Sequence, residues 1–170
     1  MGYALITGAS KGIGKAIAEE LAARNFNVLL VARSEEALRE NAKFISEKYH
    51  VKADYLAADL SLSDSADSIY QWCTEKNYTV QILVNNAGYG LSGPFEKYPA
   101  GENTNMMQLN MLVPVMLCQL FLPTLRSQPK AYILNIASSA AFNPFGPIWA
   151  RFAKPVSVDP GEIQVTDTFD

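Results

Sequence analysis

The stretch Thr7-Gly8-Ala9-Ser10-Lys11-Gly12-Ile13-Gly14 decides how the chain folds. It follows a short apolar run, Tyr3 to Thr7, that reads as a strand. It precedes a helical pattern from about Ile13 to Arg24, in which Ala16, Ile17, Leu21 and Ala22 form an apolar face. Glycines at a strand-to-helix turn let the backbone bend tightly and approach a phosphate with no side chain intervening. The helix that opens there offers unpaired N–H groups and a partial positive charge to the same phosphate. Gly14 further permits close packing of the helix on the strand. Turns need glycine for other reasons too, but a position after a strand and before a helix is the context a phosphate-binding turn requires.

Beyond this turn, apolar runs and helical patterns alternate. Phe26 to Ala32 is a continuous apolar strand, as expected where both faces of a sheet are covered. Ser34 is placed to cap the next helix, with Glu35 and Glu36 in its first turn, where the dipole favours carboxylates. Val51 to Ala57, Val80 to Val84 and Ala131 to Ile136 read as further strands, and Asp64 to Lys76 and Glu102 to Ser127 as further helices. The alternation predicts an α/β fold: a Rossmann-like doubly wound parallel sheet with helices on both faces, incomplete at its C-terminal end. The regular pattern stops near Phe142. From Asn143 onward Pro144, Pro147, Pro155 and Pro160 interrupt any helix, so residues 1–142 read as one domain and 143–170 as an irregular tail.

Composition narrows the function. The 170 residues are 49% hydrophobic and 18% charged, with a net charge of −3, which excludes a disordered chain. With 14 basic against 17 acidic residues and no basic run, nucleic-acid binding is not expected. Cys73 and Cys118 make no disulfide framework and His50 is the single histidine, pointing to a reduced compartment and no metal centre. No basic leader precedes Tyr3. Met106 to Leu125 is apolar enough to span a bilayer but carries Gln108, Asn110, Pro114, Gln119 and Pro123, so it reads as a buried helix; the expected setting is cytoplasmic, with no membrane contact.

Four further features join the glycine turn: Asp59-Leu60 after the third strand, Asn85-Asn86-Ala87-Gly88 after the fourth, Asn110 in the long helix and Ser138 after the fifth strand. With three residues between its first two glycines, the set resembles the short-chain dehydrogenase/reductase family from Met1 to about Phe142. The resemblance implies an oxidoreductase that moves a hydride between a nicotinamide dinucleotide and a carbonyl/alcohol pair. Ser10, Gly12, Ile13 and Gly14 would then line the pyrophosphate, with Gly8 also in the cofactor site. Asp59 and Leu60 would hold the adenine, and Asn86, Ala87 and Gly88 would lie along the nicotinamide ribose. From the residues alone, Asp59 also reads as a strand terminator, and Asn85 and Asn86 as turn residues that stabilise the sheet edge.

The end of the second strand chooses between the two nicotinamide cofactors. An acidic residue there receives a ribose 2′-OH, whereas an arginine receives a 2′-phosphate. The position is Arg33, nineteen residues beyond Gly14, with no carboxylate at 32 or 33. A guanidinium can grip a phosphate through paired hydrogen bonds, with Lys11 and Ser34 adding contacts. NADP(H) is therefore expected over NAD(H), against the alternative of a solvated arginine at a strand end.

In the family, a tyrosine acts as general acid or base and a lysine four residues later lowers its pKa. The resemblance assigns Ser138 to the substrate carbonyl and Asn110 to a proton-relaying water. The tyrosine is missing. Where the family places it, this sequence reads Ile148-Trp149-Ala150-Arg151-Phe152-Ala153-Lys154, and Tyr132 is the last tyrosine in the chain. Lys154 follows Ala150 by four and precedes Pro155, which biases it away from helix. The tail reads as replacing the catalytic helix and the substrate region, by deletion or a change of frame. A catalytically impaired nucleotide-binding module, or an interaction protein, is the alternative to a working enzyme.

Without that helix, Met106, Met107, Leu109, Leu112, Val113, Met116, Leu117, Leu120 and Phe121 have less to pack against. Homo-oligomerisation through the long helix, residues 102–127, or a tail that folds back to cover it, is expected. The substrate itself is not legible: Tyr89 to Pro94 and Ala140 to Phe142 would border its pocket and are mostly small or apolar.

Overall fold

The computed structural model describes residues 2–91, 95–138 and 164–165. Its elements run β1 (Tyr3–Thr7), α1 (Gly12–Ala23), β2 (Asn27–Ala32), α2 (Glu35–Tyr49), β3 (Ala53–Ala57), α3 (Ser65–Glu75), β4 (Val80–Asn85), a 3-10 turn (Phe95–Lys97), α4 (Ala100–Met107), a π turn (Gln108–Leu112), α5 (Val113–Arg126), β5 (Tyr132–Asn135) and β6 (Gln164–Val165). The strands form one sheet in the order β3-β2-β1-β4-β5-β6. Every pairing is parallel. The expected Rossmann-like doubly wound fold is what the chain adopts.

Side-chain alternation along the strands explains the layers. Leu5, Leu29, Val31, Leu83 and Ile133 face α3 and α5, where Ile69, Leu117, Phe121 and Leu125 complete one buried cluster. Ala4, Ile6, Val28, Leu30, Ile82 and Val84 face the other way, against Ala18 and Ala22 of α1 and Leu38, Ala42 and Ile45 of α2. Both faces of β2 are thus covered, and all six of its residues are buried. The chain winds from β1 outward to β3, then returns to the opposite side of β1 at β4. That reversal leaves a crevice at the carboxyl ends of β1 and β4, the place where open α/β sheets bind ligands.

Three details depart from the sequence expectation. The Ser34 side chain makes no capping hydrogen bond; only its backbone carbonyl serves the helix, accepting from Leu38 N–H at 3.0 Å. The long helix is not uniform: residues 108–112 wind as a π turn between α4 and α5. Pro114 favours this, because it has no N–H to offer the carbonyl four residues back, at Asn110, and its ring crowds that carbonyl. Finally, the tail contributes Gln164–Val165, which pairs with Tyr132 and Ile133 at the sheet edge. The reading of residues 143–154, where the catalytic tyrosine and lysine would be sought, lies outside the described residues.

The helical stretch Ala100–Arg126 is long and apolar enough to cross a membrane by length and composition. Here it lies along the sheet and buries Val113, Leu117, Phe121 and Leu125. Met107, Met111, Leu112 and Val115 stay exposed on its outer side.

Candidate functional site

The glycine turn is built by one open position and two crowded ones. Gly8 has φ +68°, and a Cβ there would stand 2.7 Å from Asn86 Nδ2 and 2.9 Å from Ala87 Cα. A Cβ on Gly14 would meet the Gly8 carbonyl oxygen at 2.4 Å. These two glycines let β1, α1 and the segment after β4 close on one another. Gly12 differs. It has φ +59°, and no atom lies within 4 Å of where its Cβ would be, so the head of α1 faces open space. Ile13 beside it is 57% exposed, an apolar side chain presented to that space. Lys11 occupies the N-cap position and makes no side-chain cap.

Thr7 joins the turn to the segment after β4. Its buried hydroxyl accepts from the N–H groups of Asn86 and Ala87, both at 3.0 Å, and donates to the Val84 carbonyl at 3.3 Å. Asn86 Nδ2 donates back to the Thr7 carbonyl at 2.9 Å and the Gly8 carbonyl at 3.3 Å. Asn85 lies deeper. Its Nδ2 donates to Asn135 Oδ1 at 2.8 Å and approaches Cys118 Sγ at 3.5 Å. Asn85 Oδ1 and Asn135 Nδ2 are buried with no hydrogen-bond partner among the described residues. Both asparagines thus tie neighbouring segments together, but Asn85 does so as the last residue of the interior strand β4 and not as a turn residue at the sheet edge.

On the far side of the crevice, Arg33 is exposed at the end of β2. Asp59 is exposed beyond β3, and its carboxylate accepts from Ser61 N–H at 3.0 Å and Ser61 Oγ at 2.7 Å. Those bonds, the backbone one first, hold its pKa below the ordinary carboxylate value, and the nearby Arg33 charge acts in the same direction. Leu60 is 3% exposed and its side chain belongs to the core, so any contact it makes in the crevice is through its backbone.

Toward β5, the Asn110 carboxamide is spent on one residue: Nδ2 donates to the Tyr89 carbonyl at 2.8 Å and Oδ1 accepts from Tyr89 N–H at 3.1 Å. Gly88 lies against it, where an added Cβ would stand 3.1 Å from Asn110 Oδ1. The π turn thus clamps the chain that follows β4. Ser138 is exposed three residues past β5. Thr7, Gly8, Gly14, Asn86 and Ala87 meet directly; Arg33 with Asp59, and Asn110 with Gly88, flank them.

Two contributors were not legible from motif spacing. The Thr7 hydroxyl does its work on residues 79 and 80 positions away. Asn41 of α2 donates to the Ala9 carbonyl at 3.2 Å and the Ser10 carbonyl at 2.9 Å. A signal for the second existed: Asn41 is the polar member of an otherwise apolar buried stripe, Leu38, Ala42 and Ile45.

Comparison with known proteins agrees with this geometry. The family profile described as short chain dehydrogenase matches residues 2–150. Very-long-chain 3-oxoacyl-CoA reductase-A of Danio rerio is 37% identical over 146 residues, covering 84% of this chain and 45% of that protein. The bulky-bulky ketone specific alcohol dehydrogenase from Comamonas testosteroni superposes with a TM-score of 0.78 at 33% identity, over 85% of this chain and 57% of that one. A short-chain dehydrogenase from Sphingobium yanoikuyae in complex with NADPH gives the same TM-score at 31% identity, over 85% and 56%. The chain spans about half the length of the relatives it matches. By motif, fold and match over most of its length, this chain belongs to the short-chain dehydrogenase family.

Proposed function

We propose that the chain binds NADP(H) and forms the cofactor-holding part of an oxidoreductase acting on a carbonyl/alcohol pair. The observation that carries this is the open space before Gly12 at the head of α1, beside exposed Ile13, in a chain whose β2 ends on an exposed arginine, Arg33. A glycine left without neighbours between two tightly packed ones fits a group that enters from outside, and a helix N-terminus fits an anion. The residues present suit a phosphorylated dinucleotide. Gly8, Ser10, Gly12, Ile13 and Gly14 would hold its diphosphate, and Arg33, with Lys11, its 2′-phosphate. Asp59 and the Leu60 backbone would hold the adenine, and Asn86, Ala87 and Gly88 the nicotinamide ribose.

When bound, the nicotinamide supplies or accepts a hydride. Ser138 would orient the substrate carbonyl and donate a hydrogen bond to its oxygen. Asn110 fixes the path of Gly88 and Tyr89 beside it. The sequence places no tyrosine after Tyr132, and Arg151 stays protonated at working pH and cannot act as the acid. A missing proton donor typically lowers rate by about 10²–10⁴-fold, so cofactor binding is expected to be intact and turnover by this chain weak. The relatives' names supply the finer reading of the substrate, a 3-oxoacyl thioester or a bulky ketone. Two buried free thiols, Cys73 and Cys118, favour a reducing, cytoplasmic setting. The exposed stripe on the long helix favours a homo-oligomer.

Isothermal calorimetry with NADPH and NADH tests the core of the proposal. NADPH should bind the more tightly, and Arg33→Asp should weaken NADPH by about 10-fold or more while sparing NADH, since a charge-assisted phosphate contact is exchanged for repulsion. Absence of NADPH heat from folded protein at millimolar concentration would overturn it.

A further inference from the structure

The glycine turn has a second support that neither strand nor helix α1 supplies. Asn41 is 6% exposed, on the buried face of α2, and both of its hydrogen bonds go to consecutive carbonyls of the turn, Ala9 and Ser10. A buried carboxamide on an apolar stripe is unfavourable unless its donors are satisfied, and here the turn satisfies them. The turn benefits in return. Across a trans peptide the carbonyl of one residue and the N–H of the next point in opposite directions. Drawing the Ala9 and Ser10 carbonyls toward α2 therefore aims the N–H groups of Ser10 and Lys11 away from it. It also keeps two partial negative charges off the side where an anion would approach. Ala9 N–H is meanwhile anchored to the Val31 carbonyl at 3.2 Å, so the turn is fixed from β2 as well.

We infer that Asn41 is a positioning residue for diphosphate binding: by holding the Ala9 and Ser10 carbonyls, it presets the glycine turn in its anion-receiving form. The inference deepens the NADP(H) reading and rests on it. Asn41 also lies two helical turns beyond Ser34, on the helix whose start adjoins Arg33. A general loosening of α2 would therefore disturb the 2′-phosphate end too, and the two effects are separable with different ligands.

The test measures NADPH and adenosine 2′-monophosphate binding to the full chain and to Asn41→Val. Loss of two buried hydrogen bonds should weaken NADPH by about tenfold and adenosine 2′-monophosphate, which has no diphosphate and meets the turn only through the Lys11 side chain, by no more than about threefold. Equal NADPH affinity in a folded variant overturns the inference, as does equal weakening of both ligands, which a purely structural role predicts. Failure of the unaltered chain to bind NADPH would instead remove the functional proposal beneath it. Should the variant not fold, the unaltered chain still decides. The Asn41 Nδ2 protons should exchange with solvent far more slowly than those of a free carboxamide, and exchange at the free rate overturns the clamp.

Discussion

A Cβ built on Gly14 lies 2.4 Å from the Gly8 carbonyl oxygen and 2.5 Å from Asn86 Nδ2, and Asn86 is itself tied to Thr7. Gly12 has the opposite surroundings, with a strained φ for any other residue but nothing near its Cβ. The two substitutions to alanine should therefore separate stability from binding. Gly14→Ala forces backbone apart and should destabilise the fold by about 1–3 kcal/mol, as overpacking does. Gly12→Ala carries only the left-handed penalty of about 1–2 kcal/mol, yet places a methyl group in the ligand's space. Thermal melts should rank Gly14→Ala as no more stable than Gly12→Ala, while NADPH titration shows Gly12→Ala weakened by more than its melt implies. If Gly12→Ala binds NADPH normally, the open space is not the diphosphate site. At this scale the glycines and Asn85 to Gly88 were legible in the sequence because they are contiguous. Thr7, Asn41 and Asn135 act through bonds spanning 31 to 80 residues, and no local pattern announces which backbone groups such side chains will reach.

The long helix shows what a hydropathy pattern carries and what it loses. Its span and its buried face were readable, since Val113, Leu117, Phe121 and Leu125 recur at helical spacing. The π turn was not read: Pro114 removes a bond to Asn110, but Pro123 removes one to Gln119 inside α5 and the helix there continues unbroken, so a proline alone does not announce such a turn. Asn110, inside that turn, bonds Tyr89 through both ends of its carboxamide. On the outer side Met107, Met111, Leu112 and Val115 form a stripe, with Leu112 53% exposed. Fully burying one such side chain is worth about 1.5–3 kcal/mol, which favours pairing of two copies along this face. Leu112→Glu would place a charge at the centre of that contact. Light scattering should show an oligomer for the unaltered chain and a shift toward monomer for the variant, with melting unchanged at low protein concentration. A monomer in both cases would leave the stripe without this partner.

Across the whole molecule, the sheet and its two helical layers followed from strand–helix alternation, whereas the strand order depends on long-range pairing that periodicity does not encode. The larger cluster contains both cysteines, Cys73 on α3 and Cys118 on α5. Burial pushes the Cys73 thiol up to about 12 and raises Cys118 as well, the latter partly offset by its hydrogen bond from Asn85. The native state thus holds these protons more tightly than the unfolded chain, whose thiols titrate near about 8.5. The contribution to stability is complete below that pH and is lost as pH rises, by up to about 1.4 kcal/mol per pH unit for Cys73 until its folded value is reached. Chemical unfolding should accordingly show falling stability from pH 8 to pH 10, with a shallower slope in Cys73→Ala; equal slopes would mean that Cys73 is not the group responsible. Because a thiol-modifying reagent reaches either cysteine only when the layer opens, labelling at pH 8 reports that opening. On the proposed reading NADPH binds only the folded chain, so at about one hundred times its dissociation constant it should slow labelling by about one hundred-fold if the opening is global. Slowing at one cysteine but not the other would show that α3 and α5 come away from the sheet separately, which their shared cluster argues against.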